Sequence, residues 1–337
     1  MQRCILFAID VEPDGRAEVR NDPWSGTAVT LRELIALRSD LEEMCRSPVR
    51  FNWFFRCDPQ IAQTWGRSDW VLEACPRLIQ WVLENRDFTG IHPHFWRREG
   101  HHRRWFNDFA DSNWTAQCLR TAIAGYHSVF GVRPVACRLG DHWMGNEEIK
   151  LLQAEGIRYD LTVEPGVASG PPVGDPHATA WLPDYRRAPR VPYRPSAADF
   201  LVPETHSGAD ESNPPLWIVP VTTTEPPRWI PVRRFPFLVK ASRPLNLVLH
   251  PRTTWQHLAS EIDGRCHEPL VFVLRSGDLA EPGFFANFKY VIERLASYRG
   301  LRNCRFTGVE EAVTSFLQAA KGRVWSTTSQ RPGQATR

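Results

Sequence analysis

The stretch CILFAIDVE (residues 4–12) is an almost unbroken apolar run that ends in two carboxylates, Asp10 and Glu12. A strand that is apolar on both sides belongs to a sheet covered on both faces, the arrangement of parallel sheets flanked by helices. Working outward, similar runs recur in VRFNWFF (49–55), TGIHPHF (89–95), RPVACRLG (133–140), RYDLTV (158–163), LWIVPVTT (216–223), LNLVLH (245–250) and PLVFVLRSG (269–277). Each reads as a strand. Helical spacing fills the intervals. Residues 30–45 carry Leu31, Leu34, Ile35, Leu37 and Leu41 on one side, with Thr30 as N-cap. Residues 69–85 form a helix that Pro76 must kink or whose second half it must start, and 113–131 a helix closed by Gly131. Residues 145–156 form a helix capped by Asn146 and stopped by Gly156, and two more run over 253–264 and 284–298. Seven or eight strands alternating with helices predict an α/β fold with a largely parallel sheet. Because nearly every strand ends in a polar residue, that sheet is expected to close into a barrel rather than stay open.

The composition supports a folded chain. Of 337 residues, 42% are hydrophobic and 23% charged, which excludes disorder over most of the length. The balance of 41 basic against 38 acidic residues leaves +3, too little for an electrostatic footprint on nucleic acid or a membrane surface. No apolar stretch reaches the roughly 18 residues of a membrane span, and the N-terminus lacks the apolar core of a signal peptide. Eight cysteines without a C-x-x-C pattern read as buried reduced thiols, hence a cytoplasmic protein. Residues 1–322 are expected to form one barrel domain with a long Pro-rich insertion at 164–215, and 323–337 a disordered tail.

Barrels build their sites at the C-terminal ends of their strands. Asp10, His92, His94, Arg138, His250 and Arg275 all fall at or just past such ends. Asp10 and Glu12 are two apart, as are His92 and His94, so on extended chain each pair shares a side. Two imidazoles with a carboxylate from a neighbouring strand bind Zn²⁺, Fe²⁺ or Co²⁺ and leave positions open for water and substrate. The following loop, HFWRREGHHRRWF (94–106), offers Trp96 and Trp105 as flat faces for a sugar. No phosphate loop, dinucleotide fingerprint or G-x-S-x-G elbow is present.

FAIDVEPDG, GIHPHFW and CRLGDHWMGNEEIKLLQAEGIRYD together resemble the divergent branch of the polysaccharide deacetylase family, the chitooligosaccharide deacetylase-like carbohydrate esterases. The resemblance covers roughly residues 3–165 and 216–316. It implies a distorted seven-stranded β/α barrel of the glycoside hydrolase/deacetylase type. It also implies a metal-dependent hydrolase, zinc being the first choice of ion, that removes an acetyl group from an N-acetylated sugar or glycan precursor. On this resemblance Asp10 would be the general base, with Arg138 as its ion-pair partner. Glu12, or else Asp14, would be the carboxylate ligand beside His92 and His94, and Trp143 part of the sugar-facing wall. Two positions depart from the family pattern. The second histidine usually comes four residues after the first, where this chain has Trp96; and Arg275 replaces the late histidine that serves as general acid. An arginine keeps its proton near neutrality, so it could stabilise an oxyanion while His250 acts as the acid. The competing readings are another metal-assisted amide or ester hydrolase, and a carbohydrate-binding protein on the same barrel with weak or no catalysis.

Overall fold

A computed structural model of the protein describes residues 2–15, 24–99, 104–172, 174–205, 215–224, 242–264 and 268–328. Its strands are β1 (Arg3–Val11), β2 (Asn52–Phe55), β3 (Phe88–Ile91), β4 (Trp96–Arg98), β5 (Trp105–Asn107), β6 (Ala136–Cys137), β7 (Tyr159–Asp160), β8 (Trp217–Ile218), β9 (Thr223–Thr224), β10 (Arg243–Pro244), β11 (Leu270–Arg275) and β12 (Cys304–Phe306). The helices are α1 (Ser25–Cys45), α2 (Pro59–Trp65), α3 (Val71–Ala74), α4 (Pro76–Glu84), α5 (Ser112–Phe130), α6 (Asn146–Ala154), α7 (Pro251–Asp263), α8 (Pro282–Ala296) and α9 (Val309–Thr328).

The main sheet runs β11-β1-β2-β3-β6-β7-β8 with every pair parallel, and β12 adds to the first residues of β1. It curls into a half-barrel wrapped by helices, a (β/α) barrel left incomplete past β8. Past β8 the gap to β11 is bridged irregularly: Thr222 N donates to Val271 O (3.0 Å), and Leu247 N to Val273 O (3.1 Å). β4–β5 and β9–β10 are separate antiparallel pairs.

Period two sorts the side chains of the barrel. In β1, Ile5, Phe7, Ile9 and Val11 pack outward into one core with α1, α7 and α8, whereas Cys4, Leu6 and Ala8 face the interior. Phe54, Ala136, Val271 and Val273 from neighbouring strands meet them there. Following the interior phase upward from each strand gives Asp10, Arg56, His92, Arg138 and Arg275 at the mouth. Gly90 belongs to this layer because a Cβ there would come 2.7 Å from Ala136 O and 2.8 Å from the Phe54 ring.

Several local expectations need correcting. Helix α1 begins at Ser25, not Thr30, because Asp14 caps it: its carboxylate accepts from the Ser25 and Gly26 amides at 2.8 Å each. Asp14 is thereby committed to the helix start and is not among the residues on the wall of the cavity at the barrel mouth. Of the two expectations for Pro76 the second holds: it opens α4 after α3 has ended, since it has no N–H to continue the ladder. Asn146 is not the cap of α6, which follows Gly145; its side chain instead accepts from Phe200 N (2.9 Å) and donates to Ala198 O (3.1 Å), pinning the insertion. LNLVLH forms no strand beyond a single bridge of Asn246 to Val273. Asn246 Oδ1 accepts from Val248 N (3.0 Å), and this local turn outcompetes extension. The Pro-rich insertion buries Tyr185, Tyr193, Phe200 and Leu201 among its described residues. Helix α9 continues through Thr328, past the point where a disordered tail is expected, because each added residue extends an existing ladder; residues 329–337 lie outside the described residues. Seven cysteines are buried, and Cys266 lies outside the described residues. Among the described residues no helix is long and apolar enough to cross a membrane.

Candidate active site

The mouth residues converge on a cavity of about 640 Å³ whose wall includes Asp10, Glu12, Arg56, His92, His94, Trp96, Arg138, Asp141, His142, Glu164 and Arg275. Asp10 and Glu12 share the interior phase of β1. Arg138 continues β6 in the same phase and donates from Nε to Asp10 Oδ1 (2.9 Å) and Oδ2 (3.1 Å), and from Nη1 to Leu161 O (2.9 Å). Glu12 receives Nε of Arg275, with Arg56 Nη1 at 3.6 Å. Burial alone would raise the Glu12 carboxyl, but Arg275 and the two imidazoles hold it well below the ordinary range.

His92 follows the end of β3, while His94 stands beyond Pro93, off the strand. The strand geometry expected for 89–95 therefore ends at Ile91. His94 is positioned by other means: its amide donates to Asp58 Oδ2 (2.9 Å), and its ring lies flat on Gly140. A Cβ at Gly140 would fall 2.3 Å from His94 Cδ2. Gly140→Ala is thus expected to displace the ring and weaken zinc binding by about 10–100-fold, the usual effect of disturbing a ligand's support. Competition titration against a chromophoric chelator measures it.

His92 Nδ1 donates to Arg138 O (2.6 Å), which places a lone pair on its Nε2. His94 Nδ1 faces two groups with opposite demands, the acceptor Asp141 Oδ2 (2.9 Å) and the donor Trp96 Nε1–H (3.2 Å), and the shorter, charge-assisted contact with Asp141 favours Nδ1–H. The two Nε2 atoms face each other at 3.1 Å, and Glu12 Oε2 lies 3.4 Å from His94 Nε2. The donor atoms of Glu12, His92 and His94 all fall within 4.8 Å of one another. Two imidazole nitrogens and a carboxylate that converge in a buried pocket call for a shared proton or a cation between them, and this donor set fits a divalent ion with positions left open. Burial lowers the His92 pKa; for His94, Asp141 and Glu12 outweigh burial and the Arg56 charge and raise it.

Three expected site residues stand differently. Trp143 is not on the cavity wall; it stacks on Phe109 with ring centroids 4.4 Å apart. Asp141 (φ 50°) and His142 (φ 59°) precede it in left-handed backbone, which turns His142 into the cavity and Trp143 away from it. Such residues cost about 1–3 kcal/mol each and persist where the surroundings impose them. His250 is exposed and is not among the residues on the wall; Arg243 Nη1 lies 2.6 Å from its Nε2. Since arginine only donates, that nitrogen is an acceptor and cannot release a proton to a leaving group. Arg275 reaches the wall, but its Nε is turned onto Glu12 and its Nη1 onto Asp278 (2.9 Å), so it positions a carboxylate rather than facing an oxyanion. Trp96 does line the cavity, buried, with Nε1 3.2 Å from His94 Nδ1.

Sequence reasoning missed Arg56, Asp58, Asp141, His142, Glu164 and Asp160. Only Arg56 carried a signal, the interior phase of FNWFFR. Asp160 accepts from Thr162 N (2.9 Å) and Oγ1 (2.7 Å), and burial pushes its carboxyl up to about 7 despite those bonds and Arg138. The folded state therefore holds a proton that the unfolded chain releases near pH 4. Stability from this group is greatest below that value and is lost as pH rises toward 7, at up to about 1.4 kcal/mol per unit. Urea unfolding at pH 5 and pH 7 should show a loss on the order of 2 kcal/mol that Asp160→Asn removes.

No family model and no curated protein matches the chain. Solved structures do. A provisionally assigned polysaccharide deacetylase from Mycobacterium smegmatis superposes with TM-score 0.54 at 15% identity, over 100% of this chain and 94% of that one. A probable polysaccharide deacetylase from Pseudomonas aeruginosa PAO1 gives 0.55 at 13%, over 94% and 91%. Puue allantoinase gives 0.54 at 13%, over 94% and 90%. At these identities the likeness is one of fold, and that fold is the barrel of the polysaccharide deacetylases.

Proposed function

We propose that this chain, which carries the polysaccharide deacetylase barrel, is a metal-dependent hydrolase that removes the acetyl group from an N-acetylated sugar or glycan precursor. The observation that carries the reading is the convergence of the His92 and His94 Nε2 atoms with Glu12 beside the Asp10–Arg138 pair, all on one cavity wall. Glu12, His92 and His94 would hold the ion, with zinc suited to a histidine–carboxylate set. When bound, it acidifies water and polarises the acyl oxygen. Asp10 is the general base: it faces the cavity from the interior phase of β1, next to the ligand carboxylate, and can take a proton from water there. Arg138 bonds both of its oxygens and fixes the carboxylate's orientation. Trp96 narrows the wall next to the ligands. The buried thiols favour a reducing compartment, so we place the protein in the cytoplasm.

One observation favours a second reading, a sugar-binding protein without turnover: Glu12 already has two guanidinium partners, Arg275 and Arg56, which compete with an ion. Acetate release from a panel of N-acetylated saccharides, by zinc-loaded protein and by its Asp10→Asn variant, separates them. The hydrolase reading expects release that the variant loses by a factor of about 10²–10⁴. No release by zinc-loaded wild type leaves the binding reading.

A further inference from the structure

Hydrolysis of an amide needs a proton donor for the departing nitrogen. His92 and His94 are the candidate ligands, and His250 lies off the cavity wall with its Nε2 facing Arg243. Arg275 keeps its proton. Among the described residues, one further imidazole lines the cavity, that of His142.

Its placement is specific. Asp141 bonds His94 at 2.9 Å, and consecutive Cα atoms are about 3.8 Å apart. His142 therefore starts from the residue that supports the ligand set. The turn is held at both ends: Gly140 N donates to Pro93 O (2.9 Å), and Tyr185 from the Pro-rich insertion donates its hydroxyl to His142 O (2.8 Å). The Nδ1 of the imidazole lies 2.7 Å from Oε1 of Glu164, an ion-pair contact whose angle misses hydrogen-bond geometry. Glu164, in the segment after β7, is 3% exposed, whereas the His142 side chain is 41% exposed. A buried carboxylate on Nδ1 leaves Nε2 as the nitrogen available to the cavity, the arrangement by which a carboxylate orients an imidazole and favours its charged form.

We infer that His142, oriented by Glu164, is the general acid of the reaction proposed above, on which this inference rests. As water attacks the acyl carbon, its proton passes to Asp10. The C–N bond then breaks, its electron pair goes to the nitrogen, and His142 Nε2–H protonates that nitrogen as it leaves. Asp10 loses its proton to solvent and His142 recovers one, so the sum is amide plus water to acetate plus amine. Glu164 is a positioning residue. The charges facing His142 are Glu164 and Asp141, which favour the imidazolium, and Arg138, which opposes it; Glu164 dominates and the histidine pKa is raised.

The test compares zinc-loaded wild type, His142→Gln and Glu164→Gln on two substrates. One is an N-acetylated saccharide that the wild type cleaves. The other is 4-nitrophenyl acetate, whose leaving group departs as an anion without a proton. His142→Gln should lower kcat on the amide about 10²–10³-fold and remove the basic limb of its pH profile. Its ester rate should stay within about threefold of wild type and its zinc content should not change. Glu164→Gln should move the basic limb to lower pH, and it carries the test alone if His142→Gln does not unfold cooperatively. Equal losses on both substrates, or none on the amide, or an unmoved limb in Glu164→Gln, would overturn the inference and leave the hydrolase reading standing. A wild type that cleaves no N-acetylated saccharide overturns both.

Discussion

The double variant His92→Ala/His94→Ala should bind zinc more than about a hundredfold more weakly than wild type, while still unfolding cooperatively. Disturbing a ligand's support alone costs 10–100-fold, and this variant removes two of the three donors, whose atoms lie within 4.8 Å of one another. Both rings stand past the end of β3, above the apolar layer of Ala8, Phe54 and Ala136 that closes the barrel below them. Their loss therefore leaves the core intact. Titration with a competing zinc chelator, paired with a denaturant curve, measures both quantities. Stoichiometric zinc in the double variant would remove His92 and His94 from the ligand set.

Arg138→Met should act on stability and rate and spare the metal. Asp10 is 5% exposed, and Arg138 bonds both of its oxygens. Removing one partner of a buried pair costs about 3–5 kcal/mol, because the other charge stays buried and uncompensated. The variant also leaves Leu161 O without the Nη1 donor. Zinc affinity should change little, since the Arg138 atom that supports His92 is its backbone oxygen, which Met retains. Urea unfolding should show the lost stability, and acetate release should fall through the disordered base. A variant as stable as wild type would mean that the Asp10–Arg138 pair is not the buried unit described.

Much of this site was legible because period two carries a strand's inward phase beyond its last apolar residue. The phase that buries Leu6 and Ala8 delivers Asp10 and Glu12, and the one that sets Ala136 delivers Arg138. Arg56 obeys the same rule, but as a lone arginine after an apolar run it resembled an ordinary strand end. Other features depended on chemistry that pattern does not encode. Asp141 and His142 take left-handed backbone without being glycine, so nothing in RLGDHW separated the residue facing the cavity, His142, from the one facing the core, Trp143. LNLVLH is as apolar as a strand, yet the Asn246 side chain closes a turn in it and leaves His250 outside the cavity. Asp14 stood behind Glu12 as an alternative ligand, and nothing in the pattern showed that the helix start at Ser25 claims it.

If Glu12, His92 and His94 form one metal centre, anomalous diffraction at the zinc edge from crystals grown with zinc should show one peak per chain, about 2.0–2.1 Å from both Nε2 atoms and about 2.0–2.2 Å from a Glu12 carboxylate oxygen. Crystals soaked to saturation that show no peak between the two imidazoles, with Arg275 still seated on Glu12, would contradict that assignment.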